Sequence, residues 1–430
     1  MTASEIAQAT GGRLLGRDGP VEGMSFDSRS LTAGQLFVPI VADRDGHDFL
    51  PAAVAAGAGA YLSAGPTVTG DVPAILVDDT LEALGRLAAH VRGRLPDRVV
   101  GITGSVGKTS CKDLTAAVVA RRWRTAASVR SYNNDQGLPH TLLNAPDDAE
   151  AVVVEMGMRG FGEIARLCAV ARPTIGVITA IGPAHSERLG GIEGVVRAKG
   201  ELVESLPSDG WAVLNADQPE VMACRQRTSA QVLTFGFGGD VRIEGLVLDE
   251  SARARFRLAT PAGSVPVALG IPGVHMAANA AAAATVGVLL DVPLDAIADA
   301  LGTASLSPWR MELRRLPGGL VLLNDAYNAN PQSMRAALDT LAALDVPGRR
   351  VALLGVMAEI EDPRAEHLAI AAYARDRGIE VLAAGTPLYG LDPVDDVLTA
   401  VASLAGGDAL LVKGSRVAGL ERVAAGLQSS

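Results

Sequence analysis

Short apolar stretches alternate along the chain with longer segments in which apolar residues recur every three or four positions. The first pattern is typical of buried strands and the second of amphipathic helices. In residues 1 to about 95, strands are predicted at GQLFVPIV and AILVDD, and helices at DFLPAAVAAGA and TLEALGRLAAHVRGRL. These elements predict a small α/β unit. In the block that follows, strands that alternate with helices predict a mostly parallel sheet with both faces covered.

A second block opens at PDRVV and runs from the strand VVGIT through a glycine-rich turn to the helix KTSCKDLTAAVVARRW. It continues with strands at EAVVVEMG and TIGVITAIG, separated by the helix FGEIARLCAVA. From about residue 230 to 272 the pattern predicts short strands, at QVLTFGF, VRIEGLVLD, ARFRLAT and SVPVALG. A helical stretch is predicted from Val274 to about Leu301.

A third block begins near SPWRMEL, with strands predicted at LVLLNDAY, RVALLGV, IEVLAAG and ALLVKG. Strands and helices alternate again, which is typical of a small doubly wound unit. At 430 residues the chain is too long for one ordinary core. We therefore predict an α/β protein of three domains: a small α/β domain at 1–96, a central domain with a mostly parallel sheet at 97–305, and a Rossmann-like domain at 306–430.

Composition narrows the class of protein. Hydrophobic residues make up 48% and aromatic residues only 3%, so the core is built of Ala, Val, Leu and Ile. The net charge of −10 argues against a general nucleic-acid surface, which needs a basic footprint. Three widely separated cysteines indicate reduced thiols. The first residues lack the pattern of a secretory signal and the longest apolar stretch is too short for a bilayer, so a cytoplasmic protein without a membrane span is expected.

Lysine is unusually rare. The chain has four lysines, at 108, 112, 199 and 413, against 34 arginines. A chain that uses arginine for nearly all of its positive charge has kept an amine in a few places only. Either these lysines are accidental, or their sites need chemistry that a guanidinium cannot do.

The strongest motif is GITGSVGKTS, from Gly101 to Ser110. Backbone N–H groups that follow a strand and lead into a helix form a cradle for phosphate. Lys108 would reach the terminal phosphates and the Thr109 hydroxyl would ligate Mg²⁺. The alternative is a tight strand-to-helix turn that contains GKT by chance.

Three further residues are candidates near this motif. Glu155 ends the strand VVVEMG, where a carboxylate suits Mg²⁺, although a solvated charge is the alternative. His185 follows another strand, and a capped structural histidine is the alternative. Lys199 lies in a helical segment, and the alternative of a plain surface lysine is weakened because this chain prefers arginine on surfaces.

Two polar loops follow apolar strands in the third block. NDAYNANPQSM places Asp325, Tyr327, Asn328 and Asn330 in one turn, and VKGSR contains Lys413 and Arg416, which could hold a carboxylate or phosphate. Positions after parallel strands favour ligand contact. The alternatives are an Asn-Pro turn and a chance basic turn.

These motifs together resemble those of the Mur ligase family over essentially the whole length. The resemblance rests on FDSRSLTAGQLFVPIVADRDGHDF in the first domain, on TGSVGKTS, NNDQG, VEMG, AHSE, AKGEL and GVHMAAN in the centre, and on WRMEL, NDAYNANPQSM, LGVMAEI and KGSR at the end. YNANPQSM and MAE are most like the branch that joins D-alanyl-D-alanine to UDP-N-acetylmuramoyl-tripeptide.

The resemblance implies a set of site residues. Lys108, Lys199 and His185 would be catalytic. ATP would contact Gly104, Ser105, Gly107, Lys108, Thr109, Ser110, Asn279, Arg310 and Asp325. Mg²⁺ would be held by Thr109, Glu155, His185 and a Lys199 carbamylated by CO₂. The UDP-linked and amine substrates would contact Ser28, Arg29, Asp45, Gly46, His47, Asn133, Asn134, Tyr327, Asn328, Asn330 and Lys413.

The implied activity is ATP-dependent amide formation through an acyl phosphate, in the synthesis of a peptidoglycan precursor. We expect the chain to act as a monomer on UDP-N-acetylmuramoyl-tripeptide and D-alanyl-D-alanine, without nucleic acid. One alternative is a sister ligase with a different acyl or amine substrate. Another is a nucleotide-binding module without catalysis. This alternative is disfavoured by the presence of four residues with implied catalytic or metal-binding roles: Lys108, Glu155, His185 and Lys199.

Overall fold

The structure of the chain is a computed structural model that describes residues 1–65, 71–183, 189–358 and 360–429. Within these residues the strands form three separate sheets, which have five, nine and six strands in chain order. Each sheet lies inside one of the three predicted domains, and the prediction of a mostly parallel α/β protein is confirmed. The domain boundaries after residues 96 and 305 stay predictions.

The first sheet is small and its strands are short. The strand order is β1-β5-β4-β3-β2, and only the β1–β5 pair is antiparallel. Although the whole of GQLFVPIV has a strand pattern, only Leu36 and Phe37 pair within the sheet. The elements are α1 Ala3–Thr10, β1 Arg13–Leu15, β2 Met24–Ser25, β3 Leu36–Phe37, α2 Leu50–Ala55, β4 Ala60–Ser63, β5 Ala74–Leu76 and α3 Thr80–Arg92.

The central sheet has the order β14-β13-β12-β11-β10-β9-β6-β8-β7. Pairing is parallel from β7 through β12, and the last two pairs are antiparallel. The strands are β6 Val99–Thr103, β7 Thr125–Ala127, β8 Ala151–Glu155, β9 Ile175–Ile178, β10 Trp211–Asn215, β11 Gln231–Gly236, β12 Val241–Leu248, β13 Arg253–Thr260 and β14 Gly263–Pro272. The helices are α4 Lys108–Val119, α5 Gly137–Leu143, α6 Glu163–Ala171, α7 Ile192–Glu204, α8 Pro219–Met222, α9 Met276–Leu289 and α10 Leu294–Thr303.

The Ala-rich helix α9 packs in the centre of this domain. Its alanines at 280–284 are fully buried, and their small side chains let α9 lie close to α4. The helical stretch predicted up to Leu301 is divided into α9 and α10. The break falls at Asp291, which has a left-handed φ of 55°, and Pro293, which cannot donate a helical hydrogen bond.

The third sheet has the order β15-β16-β20-β17-β18-β19 and is parallel except for the β15–β16 pair. The carboxyl ends of β16, β17 and β20 lie side by side, and the polar motifs predicted to bind ligand follow β16 and β20 there. The elements are β15 Glu312–Arg315, β16 Val321–Asn324, α11 Pro331–Ala343, β17 Arg350–Leu354, α12 Pro363–Arg375, β18 Glu380–Ala384, β19 Pro393–Val394, α13 Val397–Val401, β20 Ala409–Lys413 and α14 Glu421–Ser429.

Two further expectations can be compared with the structure. Cys111, Cys168 and Cys224 are buried free thiols, as predicted. Among the described helices, none has both the length and the apolar character needed to cross a bilayer.

Candidate active site

The glycine-rich loop between β6 and α4 is a close-packed phosphate-loop-like turn. Gly104 has φ +155° and Gly107 has φ +81°, which are conformations that favour glycine. A Cβ on Gly104 would lie 2.0 Å from the Thr179 hydroxyl, and one on Gly107 would lie 2.6 Å from the Asn279 side-chain oxygen. No side chain caps the start of α4, so its first backbone N–H groups are free to bind an anion.

Lys108 is the first residue of α4 and turns back over the loop. Its Nζ donates to the carbonyl of Gly104 at 2.7 Å. Desolvation lowers the pKa of Lys108, the cationic Arg310 lowers it further, and the carboxylate of Glu155 opposes both. A bound phosphate would supply the negative charge that this partly buried ammonium lacks.

Glu155 ends β8 and is buried with half of its carboxylate unused. Its Oε1 accepts a hydrogen bond from Asn133 Nδ2 at 2.7 Å. Its Oε2 is buried without a hydrogen-bond partner. A buried carboxylate oxygen that lacks a partner is costly unless a cation or donor meets it. Thr109 lines the same cavity as Glu155.

The remaining predicted metal ligands do not complete a cluster among the described residues. His185 lies outside them. In the part of the chain that the structure describes, no group of three or more His, Cys, Asp or Glu side chains could hold a metal ion.

Lys199 is buried on α7, with 2% of its surface exposed. Within the described ranges no hydrogen-bond or ion-pair partner meets its Nζ. Desolvation lowers the pKa of Lys199 well below its ordinary value, and the charge of Lys108 acts in the same direction. The surface-lysine alternative is therefore wrong, and the amine is held in conditions that favour its neutral form.

The opposite side of the site comes from the third sheet. Lys413, the last residue of β20, is buried and forms an ion pair with Asp325, and its Nζ also donates to the Asn328 carbonyl at 2.9 Å. Two predicted ligand-binding residues thus contact each other. This pair fixes the polar loop that follows β16.

Arg310 is held in an unusual backbone segment. Trp309 and Met311, on either side, have left-handed φ values of 64° and 49°. Such non-glycine conformations cost roughly 1–3 kcal/mol each and persist only when the surroundings impose them. The Trp309 N–H donates to Glu312 Oε1 at 2.9 Å and the Met311 N–H to Asp325 Oδ1 at 3.2 Å. The Arg310 guanidinium lies 4.2 Å from the centre of the Tyr327 ring.

A cavity of about 490 Å³ lies between the central sheet and the third sheet. It is lined from both sides, and the hydroxyls of Ser131 and Tyr327 contact each other across it. The predicted site residues that line it are Ser105, Gly107, Lys108, Thr109, Ser110, Asn133, Glu155, Asn279, Arg310, Asp325, Tyr327, Asn328, Asn330 and Lys413.

The cavity also contains residues that we did not predict as site residues. His275 is the most notable, because desolvation lowers its pKa to about 4 and its Nδ1 is buried without a hydrogen-bond partner. Ser131, Gln218 and Gln332 line the cavity as well. The motif GVHMAAN contains His275 and could have identified it, whereas nothing in the local sequence distinguishes Ser131 or the two glutamines.

The predicted residues of the first domain lie outside this cavity. Arg29 has 87% of its side chain exposed and forms an ion pair with Asp27, with Nη2 and Oδ2 2.7 Å apart. This hydrogen bond holds the pKa of Asp27 below its ordinary value. Ser28 stands between them in a turn. The arginine is therefore presented to solvent on a short, braced loop.

Asp45, Gly46 and His47 form a compact turn. Asp45 Oδ1 accepts from the His47 N–H at 2.9 Å and pairs with its Nδ1 at 2.6 Å, and His47 Nε2 accepts from the Ala64 N–H at 3.1 Å. These bonds fix the tautomer with hydrogen on Nδ1. Gly46 is required because a Cβ there would lie 2.4 Å from the Ile40 nitrogen.

Two predicted substrate residues also stabilise helix starts. Asn134 Oδ1 accepts from the N–H groups of Gln136 and Gly137 at the start of α5. Asn330 caps α11 through a reciprocal pair of bonds with Ser333. Asn330 still lines the cavity, whereas Asn134 does not.

Comparison with known families identifies two regions of the chain. Residues 102–287 match the Mur ligase middle domain, and residues 309–416 match the Mur ligase, glutamate ligase domain. The chain is 36% identical over 450 aligned residues to the UDP-N-acetylmuramoyl-tripeptide--D-alanyl-D-alanine ligase of Escherichia coli (strain K12), which covers 100% of this chain and 99% of that protein.

Solved structures give the same result. The MurF structure from Acinetobacter baumannii superposes with a TM-score of 0.83 at 28% identity and covers 100% of this chain and 98% of that one. The MurF ligase from Thermotoga maritima in complex with ADP has a TM-score of 0.79 at 26% identity, covering 95% and 97%. The similarity therefore includes the first domain as well as the two matched regions.

Proposed function

Because the chain belongs to the Mur ligase family, we propose that it joins D-alanyl-D-alanine to UDP-N-acetylmuramoyl-tripeptide and converts ATP to ADP and phosphate. The observation that carries the choice of substrates is the full-length similarity to a ligase of that name. The cavity between the phosphate loop and the third sheet supports the chemistry, because one chain brings both halves of the site together.

The reaction has two balanced steps. The terminal carboxylate of the UDP-linked substrate takes the γ-phosphoryl group of ATP, which gives an acyl phosphate and ADP. The amino group of the dipeptide then attacks the acyl carbon, loses a proton and expels inorganic phosphate. The protein's part is mainly positioning and electrostatic stabilisation.

Different residues of this chain would position the nucleotide and stabilise the charge on its phosphates. The N–H groups at the start of α4 would bind the phosphates, with Lys108 countering charge on the transferred group. Arg310 would approach from the third sheet, where its backbone is held in place by Asp325 and Glu312. Asn279, beside Gly107, would contact the adenine, and Asp325 the nucleotide.

We propose Mg²⁺ as the metal, held by Glu155, Thr109 and His185. The unpartnered Oε2 of Glu155 supports this assignment. Bound there, Mg²⁺ would offset phosphate charge. We also propose that Lys199 is carbamylated and serves as a further ligand, which its burial and lowered pKa favour.

The other substrate contacts are proposed on position. Asn133, Tyr327, Asn328, Asn330 and Lys413 line the cavity where the acyl carbon and the amine would meet. Asn134 would act indirectly, because it stabilises the start of α5 through its bonds to Gln136 and Gly137. Since one chain supplies the whole lining, we propose that the enzyme works as a monomer, in the cytoplasm where its ATP and nucleotide-linked substrate are made.

The function is tested by ADP release with UDP-N-acetylmuramoyl-tripeptide and a panel of amines. We expect turnover with D-alanyl-D-alanine, and little with D-alanine, glycine or a diamino acid. A strong preference for another amine would identify a sister ligase. ATP turnover that does not depend on any acyl or amine substrate would contradict ligase activity altogether.

The first domain is proposed to bind the uridine nucleotide through Ser28, Arg29, Asp45, Gly46 and His47. Arg29→Ala should raise KM for the UDP-linked substrate and leave KM for ATP nearly unchanged, because this exposed guanidinium lies outside the ATP cavity. We expect an effect of about tenfold, which corresponds to the loss of one charge-assisted contact to an anion.

Steady-state kinetics with each substrate varied in turn provide the measurement. Arg13→Ala, an exposed arginine on β1 of the same domain, is the matched control and should change neither KM. Equal effects of Arg29→Ala on both KM values would contradict the assignment of uridine-nucleotide binding to the first domain.

A further inference from the structure

Lys112 and Asp113 form an ion pair on α4, one helical turn after Lys108, in which the lysine is buried and the aspartate partly buried. Lys112 has 2% of its surface exposed. Its Nζ donates to the Ser128 carbonyl at 2.8 Å in addition to Asp113. The proposed reaction gives roles to the other three lysines and leaves this one without any.

On the lysine side, the pair holds the end of β7. The Ser128 N–H donates to the Val153 carbonyl at 3.0 Å, and the Ser128 Oγ accepts from the Glu155 N–H at 3.2 Å. The loop that follows Ser128 carries Ser131 and Asn133 to the cavity. Lys112 therefore fixes the starting point of that loop, at the residue that also bonds to the backbone of Glu155.

On the aspartate side, the pair holds the chain where it enters the third sheet. Asp113 Oδ2 accepts from the Ser307 N–H at 2.7 Å, and Oδ1 accepts from the Ser307 hydroxyl at 3.1 Å. Pro308 follows, and the residue before a proline is restricted to extended conformations. Ser307 is thus a stiff, doubly bonded anchor three residues before Arg310.

The two held segments meet again on the far side of the cavity. Ser131 belongs to the loop fixed by Lys112, and Tyr327 contacts it through the two hydroxyls. The Arg310 guanidinium lies over the Tyr327 ring, and the Tyr327 N–H donates to the Trp309 carbonyl at 3.2 Å. A continuous chain of contacts therefore runs from Asp113 around the cavity rim and back to Lys112.

We propose that Asp113 and Lys112 are positioning residues that hold Ser307 and Ser128, and through them Arg310 and the loop of Ser131, in the positions in which they meet a bound nucleotide. The inference deepens the proposed function and rests on it for its kinetic part. A purely structural ion pair would contribute to stability and leave nucleotide binding unchanged.

The test uses Asp113→Asn in the full-length chain. The amide keeps an acceptor for Ser307 but leaves Lys112 without its counter-ion. We expect kcat/KM for ATP to fall about tenfold, within the range typical of coupling between sites. KM for the UDP-linked substrate should change less than KM for ATP, because Asp113 bonds directly to Ser307 at the entry to the third sheet and not to the first domain.

A second readout does not require turnover. In a Trp123→Phe, Trp211→Phe background, Trp309 is the remaining tryptophan and stands two residues after Ser307. Addition of ADP should change its fluorescence, and Asp113→Asn should shift half-saturation to about tenfold higher ADP. If the parent chain shows no turnover but this shift is found, the proposed function is wrong and the positioning role stands.

The matched control is Asp339→Asn. Asp339 accepts from Arg377 at 2.6 Å and from the Tyr373 hydroxyl at 2.9 Å, on the same domain as Arg310, and does not itself line the cavity. It should lower the thermal midpoint without changing the ADP response. If Asp113→Asn behaves like this control, the pair is structural only and the inference is overturned.

Ser307→Ala covers the case in which Asp113→Asn does not fold. It removes one hydroxyl donor and leaves the ion pair and the Ser307 N–H bond in place. We expect a rise of about threefold in the ADP concentration at half-saturation, as for the loss of one hydrogen bond. An unchanged ADP response in a folded Ser307→Ala would also overturn the inference.

Discussion

Lys108→Met should reduce substrate-dependent ADP release by more than about 100-fold, since the loss of a transition-state charge contact costs on the order of 3 kcal/mol or more. Lys108 is the first residue of α4 and bonds back to Gly104 in the loop that would bind the phosphates. Methionine is also unbranched and close to lysine in volume, and it removes the charge and the hydrogen-bond donors of the side chain.

The fold should tolerate this change. Burial already lowers the pKa of Lys108, so its charge is disfavoured when no phosphate is bound. Replacing it with an apolar side chain of similar size should leave the thermal midpoint unchanged or slightly raised. Near-normal ADP release by a folded Lys108→Met would contradict the assignment of the loop, whereas an unfolded variant would call for the same measurement on Lys108→Gln.

The phosphate loop could be predicted because its signals are local. A strand, two glycines in conformations that exclude side chains, and a helix start all lie within ten residues of Thr103. The same holds for Asp325 and Lys413, since parallel strands bring their carboxyl ends to one edge of the sheet. Sequence periodicity is enough to place such residues together.

Side-chain pairing could not be predicted in this way. The sequence marks Asp45 and His47 as polar residues in a loop, but their bonds to each other and to Ala64 depend on how the turn folds. The bond between Asp113 and Ser307 joins residues 194 positions apart. The left-handed conformations on either side of Arg310 are likewise imposed by distant partners rather than by local preference.

The small number of lysines drew attention to individual side chains rather than to secondary structure. Lys112, Lys199 and Lys413 each have only 2% of their surface exposed, although lysine is usually a surface residue. Lys112 and Lys413 are each paired with an aspartate. Lys199 lacks such a partner within the described residues, so it is the one whose burial still needs a chemical reason.

Carbamylation would supply that reason, and Lys199→Arg should then be about as inactive as Lys199→Ala. A neutral amine adds to CO₂ and loses a proton, which forms an N–C bond and a carboxylate-like group. The pKa of Lys199 is lowered well below its ordinary value, because desolvation and the nearby Lys108 both disfavour its charged form, and this favours the neutral amine that the reaction needs. The product anion has the oxygen donors that Mg²⁺ prefers.

Arginine keeps a positive charge but does not readily form this anion, so loss of a metal-supporting group should cost about 10- to 100-fold in kcat. Acetate or formate should partly restore Lys199→Ala by occupying the vacated space, and should fail with Lys199→Arg, whose guanidinium fills it. Direct evidence would be a carbamate ¹³C signal after exposure of the parent chain to ¹³CO₂, absent from both variants. If Lys199→Arg turns over as fast as the parent at saturating Mg²⁺ and ATP, the buried amine is not a metal ligand and the carbamate proposal is wrong.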